Sequence, residues 1–281
     1  MSIVDLSKLP VPDVIDTLSF EDEFQEILAR FKASMGSSWT AELESDPVMK
    51  EFETFCYSIV FLRARVNSAA RAVLLPSSTK GDLDSVLSLL GAERLEGEGD
   101  DAFRERGRQA PYGYSTAGPR KAYEYHARSA HDDVLDARAE RLDDGSIRVT
   151  VLSRLGDGVP SAEVLEAVTL RLNAEDVRPL SDTVHVVPAY AIPWQLNAVL
   201  KFPSGAATEP ALLAARDAAA AYAEAQRELG GSVTREMVIA ALGVVGVTGI
   251  ELSSPMVAVG GDDQGAPYCT GIVVESVIAY E

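Results

Sequence analysis

The chain has 281 residues, enough for two or three small domains, and 47% of them are hydrophobic, which argues against global disorder. Its 43 acidic and 25 basic residues give a net charge of −18, which argues against nucleic-acid binding and against docking on anionic lipid. The two cysteines, Cys56 and Cys269, are too few for a disulfide framework and too far apart for a metal knuckle. We therefore expect both to be reduced core residues.

The first residues predict neither export nor a membrane span. They lack the basic and apolar regions of a secretory signal, and no apolar run approaches the ~20 residues of a membrane helix. We expect the protein to be made and kept in the cytoplasm unless something larger carries it out. A first helix is predicted to begin at Ser19, with an apolar face formed by Phe20, Phe24, Ile27 and Phe31.

A long second helix carries the clearest periodicity in the chain. It is predicted to begin at Ser45 or Asp46, with Pro47 in its first turn. Its apolar residues are spaced alternately four and three apart, as in a coiled-coil seam: Val48, Phe52, Phe55, Ile59, Leu62, Val66, Ala69 and Val73. About 28 helical residues give a rod of about 40 Å, and its seam must pack on something. The partner is either the set of helices before Gly91 in the same chain or helices from other chains.

A third helix is predicted within residues 81–95, with Gly91 as its stop, and the acidic stretch 96–101 is the best candidate domain boundary. Beyond it, residues 109–127 read QAPYGYSTAGPRKAYEYHA. This run predicts a Gly/Pro-punctuated entry into a short helix, with Thr116 as the cap and Pro119 in the first turn.

From residue 132 the pattern changes to strands that alternate with helices. Strands are predicted at 133–141, 146–152, 183–187, 194–202, 246–252 and 271–280, and helices at 162–174, 208–229 and 235–242. We therefore predict an α+β fold, in which an N-terminal helical arm with a long heptad-patterned helix precedes two small α/β domains. The predicted boundaries are 1–96, 97–188 and 189–281.

No motif predicts catalysis, cofactor binding or a metal site. The chain lacks the HExxH, Cys-x-x-Cys, Walker A, GxGxxG and G-x-S-x-G patterns. His126 and His131 are five residues apart, so they do not share a helix face as zinc ligands would. Adjacent acidic pairs such as Asp132-Asp133 follow no calcium-loop pattern and are interpreted as solvated loops. Paired carboxylates for glycan cleavage can come from distant positions, so a hydrolase stays open as an alternative.

An ordered series of short motifs resembles the baseplate J-like proteins of contractile-tailed phages. Each motif alone is weakly specific, whereas the ordered set is strong and covers essentially the whole chain. Besides residues 109–127, the series comprises LPVPDVIDTLSFEDEF (9–24), LESDP (43–47), RVNSAARAVLL (65–75), GDLDSVLSLLGAERL (81–95), LNAEDVRPLSDTV (172–184), GGSVTREMVIAALGVVGVTGIELSSP (230–255) and PYCTGI (267–272).

The resemblance implies a structural protein of the baseplate wedge with no catalytic residues and no cofactor. In that family two copies pair within each wedge, and the wedges close into a ring around the hub and spike that holds the tail extended until contraction. The implied partners are a second copy, a smaller wedge protein, and sheath-initiator and hub-proximal baseplate proteins, without nucleic acid or membrane insertion. The implied location is the virion tail baseplate, after assembly in the host cytoplasm. Phage, bacteriocin and injection system are not separated by the sequence.

Two residue sets follow from the periodicity and the resemblance together. The predicted interchain helical bundle comprises Phe52, Phe55, Ile59, Leu62 and Val66. The predicted joint between the helical arm and the α/β domains comprises Gly118, Pro119 and Tyr123. Two other functions stay open, a tail-associated hydrolase of cell-wall glycan and a soluble bacterial adaptor unrelated to tails.

Overall fold

The computed structural model describes residues 9–10, 12–36, 43, 45–115, 117–204 and 208–279. It confirms the predicted α+β class, because helices and small mixed sheets alternate along the chain. The chain divides into two compact units, Met1–Glu93 and Arg94–Glu281. Within the described residues, the helices are too short or too polar to cross a lipid bilayer.

The first unit is helical. Side-chain caps begin its first two helices where the sequence predicts them, since Ser19 Oγ accepts the Asp22 N–H and the Asp46 carboxylate accepts the Val48 N–H. The helices are α1 (Phe20–Met35), α2 (Pro47–Ala72) and α3 (Lys80–Ser88). The long second helix therefore exists with 26 residues, while the use of its heptad pattern as an interchain seam stays a prediction.

Helices α1 and α2 pack against each other in antiparallel directions. The rings of Phe31 and Phe52 are 4.8 Å apart near one end, and Arg63 forms an ion pair with Glu23 towards the other. The buried side chains of α2 are those of Met49, Cys56 and Asn67.

Asn67 fixes the segment that precedes α1. Its Oδ1 accepts the backbone N–H of Asp16 at 3.0 Å, and its Nδ2 donates to the carbonyl of Asp16 at 2.9 Å. A buried amide is stable only when both of its ends are satisfied, and here one residue satisfies both. The apolar periodicity could not reveal this contact, because Asn67 is polar.

The second unit begins with three short helices. Pro119 is the N-cap of the third, one position before the first-turn position that the sequence predicts, because its ψ of 150° is still extended. The predicted cap Thr116 lies outside the described residues. The helices are α4 (Asp100–Gly107), α5 (Ala110–Gly113) and α6 (Arg120–Arg128).

The first sheet of this unit is small and mixed. It comprises β1 (Val134–Arg141), β2 (Ile147–Ser153) and, after α7 (Ala162–Leu172), β3 (Val184–Pro188). Strands β1 and β2 form an antiparallel hairpin, and β3 returns parallel to β2. Helices α6 and α7 cover one face, where Tyr123, Val149 and Val168 belong to one buried cluster.

The second sheet follows after a single residue, Ala189. Its elements are β4 (Tyr190–Pro203), α8 (Thr208–Ala225), β5 (Ser232–Val233), α9 (Arg235–Leu242), β6 (Gly249–Ser254), β7 (Val259–Gly260) and β8 (Gly265–Ala279). Strand β4 is central, antiparallel to β6 and parallel to β8, while β5 and β7 form a separate pair. Alternate residues of β4, including Leu196 and Leu200, share a core with α8 and α9. Helix α8 ends four residues before its predicted end at Leu229.

A buried ion pair holds the start of the second unit together. The side chains of Glu98 and Arg106 are only 4% and 3% exposed, and Arg106 donates to both carboxylate oxygens at 2.7 and 2.9 Å. A third bond joins Arg106 to Ser129 Oγ at 3.0 Å, which ties α4 to the end of α6. Burial raises the pKa of Glu98, but the bonds from Arg106 and from the Leu95 N–H outweigh it and hold the pKa below its ordinary value.

We expect Arg106→Met to destabilise the second unit by about 3–5 kcal/mol, because it leaves the Glu98 carboxylate buried without its partner. The double variant Glu98→Met with Arg106→Met removes both charges and should cost no more than about 2 kcal/mol. Denaturant unfolding of the three proteins measures the difference. A double variant as unstable as the single one would contradict this account.

The Glu98–Arg106 pair also makes the stability of the second unit depend on pH. Because the folded pKa of Glu98 lies below its unfolded value of about 4.5, its stabilisation is complete above that value and is lost as the pH falls through the folded pKa. The double variant should lack this loss.

Candidate interaction surfaces

The predicted bundle residues of α2 divide into two groups. Phe52 and Ile59 are half-buried within the first unit. Phe55, Leu62 and Val66 are 59%, 67% and 59% exposed, so they form an apolar stripe, here called the α2 stripe, on the surface of the chain. Scattered exposed apolar residues are ordinary, whereas a row at helical spacing indicates a contact surface.

The α2 stripe borders an open groove between α1 and α2. The groove has a volume of about 840 Å³, and its apolar wall comprises Ile27, Phe31, Phe52 and Phe55. An apolar groove of this kind can receive an amphipathic helix, which presents side chains three and four residues apart.

A second exposed apolar side of α2 was not predicted. Tyr57 and Phe61 are exposed and lie one turn apart, roughly 100–180° around the helix from the residues of the α2 stripe. The Tyr57 ring also contacts that of Phe20 in α1, with centroids 4.5 Å apart. The heptad pattern missed them because they fall outside its positions. The available signal was the composition of FCYSIVF (55–61), in which three of seven residues are aromatic and six are hydrophobic.

The second unit has an exposed sheet face. Val273, Glu275 and Val277 alternate along β8 with the buried Val274, and they pair in register with Asn197, Val199 and Lys201 of β4. Helices α8 and α9 pack on the other face, while Val273 and Val277 are 51% and 45% exposed. Parallel strand pairs such as β4 and β8 are normally covered on both faces, so this open face, as we call it, has the character of a contact surface.

The residues of the predicted joint lie together in the second unit. The Tyr123 hydroxyl, inside the first sheet's core, donates to Asp182 at 2.7 Å. Gly118 has a φ of +65°, and a Cβ there would lie 2.9 Å from both Asp182 Oδ2 and Pro179 Cγ, so the close approach requires glycine. These contacts fix the entry of α6 against the turn before β3. A role in setting an angle between the two units stays a prediction.

His126 is structural. Its Nε2 lies 3.2 Å from the Gly113 carbonyl, and burial together with the Arg171 charge lowers its pKa, so the ring is neutral at pH 7. His131 and the two aspartates after it bring three ligand atoms within 4.8 Å of one another. Within the cluster the Asp133 N–H donates to His131 Nδ1 at 3.1 Å, and Asp132 Oδ1 lies 2.8 Å from the same nitrogen.

Both cysteines are free thiols. Cys56 is fully buried against α1, where its Sγ donates to the Phe20 carbonyl, and Cys269 is half-buried. Burial raises the pKa of each thiol, which disfavours the reactive thiolate.

The exposed apolar surfaces are typical of a chain that associates with other chains. Comparison with known proteins agrees with this class. A model of the baseplate J-like N-terminal domain matches residues 44–100, and a model of the baseplate J-like central domain matches residues 115–188. Baseplate protein J of Escherichia phage P2 is 36% identical over 295 aligned positions, which cover 96% of each chain.

The chain therefore belongs to the baseplate J-like family. It is a phage baseplate protein, located in the tail baseplate of the virion, and it associates there with other baseplate proteins. The family recognised from the ordered motifs is confirmed.

Tyr123→Phe should lower the stability of the second unit by about 1.5–3 kcal/mol, because Asp182 loses the hydrogen bond that its carboxylate accepts. The exposed Tyr114, on the same run of sequence, provides the control: Tyr114→Phe should change stability by less than about 0.5 kcal/mol. Thermal unfolding compares the two. Equal effects would show that the buried phenol bond is not what fixes α6.

Proposed function

We propose that this chain is a structural component of the baseplate wedge of a contractile tail. In this proposal it pairs with a second copy and a smaller wedge protein, and the wedges join in a ring around the hub and spike. The ring contacts sheath-initiator and hub-proximal proteins, holds the tail extended and transmits the contraction trigger.

The observation that carries this proposal is the presence of exposed apolar surface in each of the two units. The α2 stripe lies in the first unit and the open face in the second. A subunit with one contact surface can form only a closed pair, whereas two different surfaces allow each copy to join two neighbours and so build a ring.

The first unit supports helical partners. Helix α2 presents two exposed apolar sides, the α2 stripe and the side of Phe61, where the neighbouring Tyr57 also contacts Phe20 of α1. Two exposed sides can accept two further helices, which suits a bundle with the second copy and the smaller wedge protein. Phe52, Phe55, Ile59, Leu62 and Val66 remain our proposed bundle residues, to which Phe61 is added.

The open face supports contact with another copy of the same face. Its valines are surrounded by Lys201, Glu251 and Glu275, so both charge signs occur at its rim. A two-fold arrangement can bring the lysine of one copy near an acidic residue of the other, which makes the face self-complementary.

A non-enzymatic role fits the chemistry of the described residues. His126 is neutral and bonded within the core, both thiols have raised pKa values, and Tyr123 is engaged by Asp182. Cleavage of cell-wall glycan by the purified chain in a zymogram would contradict the proposal.

Leu62→Asp with Val66→Asp should abolish co-purification of this chain with its wedge partners after co-expression with neighbouring tail genes. Both residues are exposed, so the buried charges would appear only in the complex, where each is costly. The control Ser85→Asp with Leu89→Asp makes the same charge change at exposed positions in and just after α3, outside both exposed sides of α2, and should retain the complex. Native mass spectrometry gives the stoichiometry, and two copies per smaller partner is expected for the unchanged chain.

Val273→Lys with Val277→Lys should leave that complex intact but prevent wedges from joining, since it places two charges in the open face. Val245→Lys with Val257→Lys adds the same charge at exposed loop positions and should have no effect. Negative-stain microscopy of the assembled particles distinguishes rings from single wedges. Rings formed by the first variant would contradict the role of the open face.

A further inference from the structure

The turn between α8 and β5, residues 226–231 and here called the clamp turn, is held by side chains of the first sheet. The Leu229 N–H donates to Asp136 Oδ2 at 3.2 Å, and the Leu229 carbonyl accepts from Arg138 Nη1 at 2.9 Å. Both side chains come from β1, more than 90 residues earlier. Both polar backbone groups of one buried residue are thus satisfied from the other sheet.

A second arginine crosses in the opposite direction. Arg227 of the clamp turn donates through Nη2 to the carbonyls of Arg154 and Gly156, each at 3.0 Å, in the loop after β2. Arg138 also forms an ion pair with Asp263, in the loop before β8, at 3.1 Å. Across the boundary between the two sheets, each side therefore contributes an arginine that donates to backbone carbonyls of the other side.

Apolar packing and main-chain hydrogen bonds also join the two sheets at this boundary. The Leu229 side chain is buried in a cluster with Leu152 of β2, Ala189 and Ala266 of β8. Ala189 donates its N–H to Val151 of the first sheet, and the next residue, Tyr190, donates to Gln264 of the second part. The chain passes from one sheet to the other without an unbonded residue, unlike a flexible linker.

Gly230 makes the close approach of Arg138 possible. Its φ is +77°, and a Cβ there would lie 2.4 Å from Arg138 Nη1. Gly261 has a similar φ of +88° but open space around its Cβ position. Both glycines therefore have a positive φ, but only Gly230 lies against Arg138.

We propose that the two sheets of the second unit act as one rigid body, locked by the clamp turn, so that no hinge operates at Ala189. Any change of shape during contraction is then taken up outside this boundary. The proposal concerns the folded chain itself and holds whether or not the wedge assignment is right.

Amide hydrogen exchange on the full chain tests the lock without any baseplate partner. In the unchanged protein, the amides of Tyr190, Leu229 and Gly230 should be protected as strongly as those in the centres of β2 and β4. Exchange at these positions that is orders of magnitude faster than in both sheets would overturn the proposal, whatever the variants do.

Variants then test which side chains hold the clamp turn in place. Arg138→Ala with Arg227→Ala should accelerate exchange at residues 189–190 and 226–231 about a hundredfold, from the loss of charge-assisted bonds, and leave the strand centres unchanged. The control Arg216→Ala removes an arginine that binds the Val274 carbonyl within the second part alone, so the boundary should stay protected. Likewise, Gly230→Ala should accelerate boundary exchange more than Gly261→Ala. Equal exchange in the double variant and the unchanged protein would exclude the arginine clamp.

Discussion

The second unit depends on two hydrogen bonds that side chains of β1 form with the backbone of Leu229. A buried N–H and C=O must both find partners, and here Asp136 and Arg138 provide them across the boundary between two sheets. Helix α8 ends at Ala225 and not at the predicted Leu229, and helical bonding at Leu229 would engage the N–H that Asp136 accepts. The contact fixes the clamp turn against β1, while β6 and β8 are placed by their pairing with β4.

The first unit is governed by a different constraint: α1 is too short to cover the apolar surface of α2. With 26 residues α2 is about 39 Å long, whereas α1 with 16 residues spans about 24 Å. One shorter helix can bury only one stripe of the longer one. The side of α2 that α1 covers contains Cys56 and Asn67, with Phe52 and Tyr57 packed on rings of α1, and it leaves Phe55 and Phe61 outside. The apolar character of α2 therefore exceeds what its own chain uses.

Local structure could be predicted from the sequence because its signals are local. The caps at Ser19, Asp46 and Ser161 are satisfied within three residues, and helix α9 has the predicted bounds. Contacts across 50 to 90 residues, such as that of Asn67 with Asp16, leave no local signal and were not predicted. The heptad periodicity identified α2 correctly as a helix, but an apolar pattern cannot tell which stripe faces the same chain and which faces a partner.

A surface for assembly can be recognised where the sequence predicts buried residues and the structure of the single chain leaves them exposed. The stretch GIVVESVIA of β8 is rich in β-branched residues on both of its faces, as a strand buried on both sides would be. The sheet covers Val274 but leaves Val273 and Val277 exposed. Neither the composition nor the structure alone identifies a contact: the first predicts burial and the second shows its absence within one chain. Together they favour a partner that supplies the missing cover, which is the basis of our proposal for the open face and, by the same reasoning, for Phe55, Leu62 and Val66 in the first unit.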